Sequence, residues 1–167
     1  MKNIDLKARL DNTIVEKDVE NAYRNSFSDF FGDKAIIDSP YGCDGFFKLQ
    51  DNQNKLFDID DKTYSESNLK KLKILFEFKY NEKLEEKSKQ AIIILQGIYY
   101  LKKFELDGKD GIDFPSILFI GDKDQCFSIH TNKLQKYLDY DLDWDIAPSL
   151  AGKSNPDTVL QIMNDVS

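Results

Sequence analysis

Residues 73–80 read Lys-Ile-Leu-Phe-Glu-Phe-Lys-Tyr, an apolar run that carries an acid and an amine two positions apart. On a β-strand alternate side chains face the same side, so Glu77 and Lys79 project together while Leu75, Phe76 and Phe78 supply apolar cover. Burying an acid and an amine costs several kcal/mol unless they pair or bind a metal. That cost makes the strand a candidate functional site as well as a candidate piece of the core.

The rest of the chain supplies elements that can surround such a strand. Residues 13–31 predict an amphipathic helix, with Val15, Val19, Ala22, Tyr23, Phe27, Phe30 and Phe31 on one face and Gly32 as its stop. Thr13-Ile14-Val15-Glu16 fits a capping box, which assigns Glu16 to the helix start. Glu20, one turn later at the edge of the apolar stripe, has no such duty. Residues 35–38 and 43–50 predict strands around the turn Ser39-Pro40-Tyr41-Gly42, and Asp51-Asn52-Gln53-Asn54 predicts a second turn that returns 55–59 as a hairpin partner. Residues 60–71 predict a polar surface loop.

Residues 84–105 predict a long helix buried against a sheet. The run Ala91-Ile92-Ile93-Ile94-Leu95 would also suit a strand, but its length and its flanking helix formers favour helix. Strands at 116–121 and 125–130 follow around Asp122-Lys123-Asp124, then a helical segment at 133–138. Residues 156–165 predict a last helix opened by Ser154-Asn155-Pro156. The order predicts an α/β protein with a mixed central sheet flanked by helices.

With 167 residues the chain suits one domain, divided as a body over 1–140 and a tail over 141–167 that leads toward a possible next domain. Trp144 and Pro148 would dock the tail on the body or on that next domain. No apolar run approaches the roughly 18 residues of a membrane span, and the N-terminus lacks a signal peptide's apolar region, so a cytoplasmic protein without membrane contact is expected. Cys43 and Cys126 lie far apart with a single histidine in the chain, which disfavours a thiolate metal site and predicts reduced thiols. The net charge of −7 and pI near 4.8 exclude a free-standing nucleic-acid binder of the ordinary basic kind. Any DNA affinity would come largely from elsewhere.

Asp44, in Cys43-Asp44-Gly45-Phe46, joins Glu77 and Lys79 as a third strand-borne polar position. Two carboxylates and a lysine on one sheet edge would hold a hard divalent ion, and such an ion stabilises charge on a phosphoryl oxygen. Each residue also has a plainer reading. Asp44-Gly45 could be a turn, Glu77 and Lys79 a cross-strand ion pair on an exposed face, Gln96 a buried amide and Tyr100 a core tyrosine. Glu20 could be one more helix-surface acid and His130 a strand-end residue, while Lys83, Lys87, Lys89, Lys102 and Lys103, which flank the long helix, could touch phosphates or be only a solvated helix end.

An aspartate, a gap, then Glu77-Phe78-Lys79 on a strand resembles the PD-(D/E)xK nuclease superfamily, although no proline stands next to Asp44. Gln96-Gly97-Ile98-Tyr99-Tyr100 on the following helix resembles the Gln-x-x-x-Tyr motif of its RecB-like members, with Gln96 and Tyr100 one turn apart on a shared face. Segments at 121–122, 126–130 and 143–149 are similar to the N-terminal nuclease regions of bacterial restriction-modification proteins that fuse a nuclease to an adenine methyltransferase. The resemblance implies a restriction-endonuclease-like core of order αβββαβ.

It further implies a magnesium-dependent DNA endonuclease, manganese being able to substitute. Asp44 and Glu77 would hold the metal with the backbone carbonyl of Phe78, Lys79 would position the attacking water, and Glu20 would complete the acidic cluster. Gln96 and Tyr100 would brace the site or contact the phosphate backbone. DNA would be the substrate, and sequence choice would lie in linked methyltransferase and target-recognition domains of a longer protein. The rival expectation is a nuclease-like fold without cutting activity, serving a methyltransferase or defence complex as an interaction module.

Overall fold

The structure, a computed structural model, describes residues 3–32, 35–49, 56–59, 62–65, 72–108 and 114–166. It is an α/β fold around a five-stranded mixed sheet. Helices α1 (Asn3–Asp11) and α2 (Glu16–Phe31) lead into strands β1 (Ala35–Asp38) and β2 (Gly45–Leu49). A separate two-stranded hairpin, β3 (Leu56–Ile59) and β4 (Lys62–Ser65), precedes β5 (Ile74–Phe78). The long helix α3 (Lys87–Asp107), strands β6 (Ile117–Gly121) and β7 (Cys126–His130), and helices α4 (Gln135–Leu138), α5 (Ala151–Ser154) and α6 (Pro156–Val166) complete the order.

The main sheet runs β1-β2-β5-β6-β7, parallel only between β5 and β6 and antiparallel elsewhere. A parallel neighbour needs a crossover, and α3 is that crossover. All five residues of β5 are buried because the strand lies at the sheet's centre with helices over both faces. Ile74, Phe76 and Phe78 face the α2 side, in an aromatic layer with Tyr23, Phe27, Phe31 and Phe47. Leu75 faces the other side, in the larger cluster built on α3.

Helix α3 is buried around most of its circumference from Ala91 to Phe104, since the sheet covers one side and α5 and α6 cover the other. This double cover explains why 91–95 is helix despite its isoleucines. Gly97 lets the helix approach β6: a Cβ there would lie 2.6 and 2.8 Å from the two Cδ atoms of Leu118. The tail packs back on the same helix. Tyr99 donates its hydroxyl to the carbonyl of Asp143 at 2.9 Å and accepts from Asn155 Nδ2 at 3.0 Å, while its ring lies 4.8 Å from that of Trp144.

Three expectations change. Residues 55–59 do not return as a partner of β2, because β1 and β5 already occupy both of its edges; Leu56–Ile59 pairs with Lys62–Ser65 instead. That pairing also places a strand inside the stretch expected to be loop. The third change is at the start of α2, where Thr13 closes the preceding turn, its Oγ1 donating to the carbonyl of Leu10 at 2.6 Å. The helix begins after Val15, and Asp18 caps it by accepting from the N–H groups of Ile14 and Val15 at 3.0 and 3.3 Å. Val15 is thus exposed rather than part of the apolar stripe, and Glu16 is released from capping. Helix α1, packed on α2, had no counterpart in the sequence reading. The turn at 51–54 lies outside the described residues.

Candidate active site

Glu77 occupies the last turn of the pleat in β5 and, two residues after Leu75, points to the α3 side of the sheet. It is 2% exposed, and its Oε1 has no hydrogen-bond partner. The other oxygen lies 3.9 Å from Lys79 Nζ, a separation too long for a hydrogen bond. An ion pair on an exposed sheet face is therefore excluded for Glu77.

Asp44 reaches the same place from the neighbouring strand. Gly45 pairs with Phe76 in the antiparallel β2–β5 ladder, so continuing that register by one residue sets Asp44 opposite Glu77. Asp44 Oδ2 accepts from the Phe78 N–H at 2.7 Å, and its Oδ1 has no partner among the described residues. Asp44 is the last residue of the connection between β1 and β2, at the entrance of β2. Arg24 fixes the loop that carries it: Nη1 donates to the carbonyl of Asp44 and to Ser39 Oγ at 3.0 Å each, and Nη2 to the carbonyl of Ile37 at 3.2 Å. Nothing in the sequence reading had singled out Arg24, although it stands one helical turn beyond Glu20.

The electrostatics follow from this crowding. Burial pushes the Glu77 carboxyl well above its ordinary range, Asp44 pushes it further, and Lys79 only partly opposes them. Burial also raises Asp44, against the hydrogen bond from Phe78 and the charge of Lys79. Tyr100 and Cys43 are each pushed up to about 12, first by burial and then by the acids beside them. Tyr100 donates its hydroxyl to the carbonyl of Gly42 at 3.3 Å, bracing the loop next to Asp44.

Neither Glu20 nor Glu16 has the role expected of it. Glu20 is near enough to raise Asp44, but its two oxygens are engaged by Lys17 at 2.9 Å and Arg24 at 3.3 Å. It is not brought in as a third ligand, and among the described residues no three Asp, Glu, His or Cys side chains form a metal-holding group. Glu16 interacts with Lys79, Asp44 and Glu82, and its carboxyl is raised, first by burial. The available signal was Asp18, whose position three residues after Val15 makes it the better capping acid.

The second helix-borne candidate, Gln96, lines a cleft with Lys79, Glu82, Lys89, Ile92 and Ile93. Its amide makes no hydrogen bond to the described residues. Phe78 contributes its N–H to Asp44, while its ring lies on the opposite face, stacked 5.2 Å from Tyr23. His130 is exposed at the end of β7, and both cysteines are free thiols. No helix among the described residues is long and apolar enough to cross a membrane.

A test of this electrostatic picture is the pH dependence of stability without added metal. A carboxyl whose pKa is raised by folding stabilises the fold below its unfolded pKa and loses that contribution as pH rises through the folded one. Glu77, Asp44 and Glu16 all shift upward, whereas Asp165, held down to about 2 by Lys136 and Tyr137, acts only in strong acid. The urea midpoint in chelator should therefore fall as pH climbs from about 5 to about 8. A flat or rising midpoint over that window contradicts the arrangement.

Comparison with protein-family models, with curated proteins and with solved structures finds no match to the chain.

Proposed function

We propose that the chain is a divalent-cation-dependent endodeoxyribonuclease domain with a restriction-endonuclease-like core. The observation that carries this reading is Glu77, a fully buried carboxylate with one unpartnered oxygen beside a second carboxylate that also has one. A protein tolerates such a pair when a cation joins it. The donor set fits a hard ion that takes one or two carboxylates and keeps much of its water.

Asp44 and Glu77 would hold that ion, with the Phe78 carbonyl as the further ligand implied by the resemblance. Bound there, magnesium or manganese would supply charge neutralisation at a phosphoryl oxygen and a more acidic water. Lys79, beside Glu77, would orient the attacking water, and Tyr100 holds the Gly42 carbonyl so that Asp44 keeps its position. The order α2-β1-β2-β5-α3-β6, with β3–β4 as an insertion, supports the αβββαβ core. With a net charge of −7, sequence choice and most DNA affinity would belong to a linked target-recognition and methyltransferase partner.

Plasmid relaxation in magnesium tests the proposal. Lys79→Ala should lower the cleavage rate by about 10²–10⁴-fold, the usual worth of a positioned proton-transfer or water-orienting group. Equal rates for that variant and the parent would remove Lys79 from the mechanism. Cation binding by a chain that leaves plasmid intact, alone and with its partner domains, would favour the interaction-module reading.

A further inference from the structure

Between the exit of β5 and the start of α3 lies a cleft of about 90 Å³, room for one small group, lined by Lys79, Glu82, Lys89, Ile92, Ile93 and Gln96. Lys89, Ile92, Ile93 and Gln96 recur at three- and four-residue spacing and so form one helix face. Lys89 is partly buried and has no ion pair among the described residues, and the Gln96 amide is equally without a partner. The Lys79 ammonium makes no hydrogen bond to the described residues; it lies 3.9 Å from Glu77 and within electrostatic reach of Asp44 and Glu16. Glu82, the one acid in the lining, is exposed and pairs with neither lysine.

A lysine without a counter-charge gains nothing from an ion pair. Lys89 gains nothing from its helix either, because it stands in the first turn of α3, where the helix dipole disfavours positive charge. The Lys89 ammonium and the Gln96 amide, both without partners in one slot that Ile92 and Ile93 also line, match a tetrahedral oxyanion, with Lys79 in the same lining. We propose that this cleft holds a phosphate of the DNA strand next to the one being cut, with Lys89 as its main contact. The inference rests on the nuclease reading for the identity of the strand, and on the cleft alone for the phosphate.

The test uses the full chain and Lys89→Gln, which removes the charge and keeps the stem. Titration with inorganic phosphate, followed by amide NMR, should give saturable shifts at Lys89 and Gln96 in the parent. Those shifts should vanish in the variant while resonances of the aromatic layer stay in place. For a short DNA duplex, the slope of log affinity against log salt should fall by about one unit in Lys89→Gln, as for one lost phosphate contact. Absent phosphate shifts, shifts that persist in the variant, or an unchanged salt slope each overturn the proposal. The nuclease reading fails separately: plasmid left intact in magnesium, with phosphate shifts and salt slope both dependent on Lys89, keeps the phosphate cleft and removes the cleavage.

Discussion

Glu77→Gln is expected to make the protein more stable and useless as a cation binder at once. Glutamine keeps the shape of the side chain but removes a charge that the fold buries without an adequate partner. The amide still leaves buried polar atoms to satisfy, at about 1–3 kcal/mol, so the gain is smaller than the full cost of a buried ion. We expect a net gain of about 1–3 kcal/mol at pH 8 in chelator, or about 2–4 °C of Tm for each kcal/mol in a chain of this size.

In magnesium that advantage should shrink to near zero or reverse. A ligand at 100 times its Kd stabilises the folded state by about 2.7 kcal/mol, and the variant forfeits this. Thermal unfolding with and without magnesium reads both effects in one experiment. A variant less stable than the parent in chelator, or one still protected by magnesium, would remove Glu77 from the centre of the site.

Gly97→Ala should destabilise the fold although it improves the helix. Alanine in a helix interior is better than glycine by about 1 kcal/mol. Against this, the new Cβ would sit under 3 Å from both Cδ atoms of Leu118, a fully buried side chain on β6. Overpacking of this kind costs about 1–3 kcal/mol, so the clash outweighs the propensity. Since Gln96 precedes Gly97 and Tyr100 follows three residues later, lifting α3 from the sheet also moves both side chains relative to the acids.

Coupling identifies the cause. Leu118→Ala alone should cost about 2–5 kcal/mol, but the double variant should cost less than the sum by about 0.5–3 kcal/mol, because the cavity receives the new methyl group. Strict additivity in denaturant midpoints would mean that α3 and β6 do not meet at this point.

The parts of this fold that could be read from sequence are those whose signal is local. β1, β5, β6, β7 and the long helix declare themselves through short apolar runs or through length, and they form within a few residues of the expected limits. Strand partnership is different: whether 55–59 joins β2 depends on β5, which lies far along the chain and claims the edge first. Helix α1 was missed because its polar sequence has little apolar periodicity of its own.

The site divides along the same line. Asp44, Glu77 and Lys79 were visible because polar residues among strand-forming apolar ones demand a reason. Glu16 was hidden by a false capping role, since Thr13 gave the same local signal whether it opened α2 or closed the turn before it. Arg24 was hidden because the acceptors that tie it to the Asp44 loop include the backbone carbonyls at 37 and 44, and no sequence pattern marks those.

Phe78 belongs to both sides of the sheet: its ring stacks on Tyr23 and Phe76 in the aromatic layer, and its N–H holds Asp44 on the opposite face. The two faces are thereby mechanically linked through one peptide unit. A substitution that shifts the aromatic stack would tilt that N–H and displace a carboxylate that the substituted residue never touches. Variation in the aromatic layer thus offers a way to retune the spacing of the two acids while leaving both acids in the sequence.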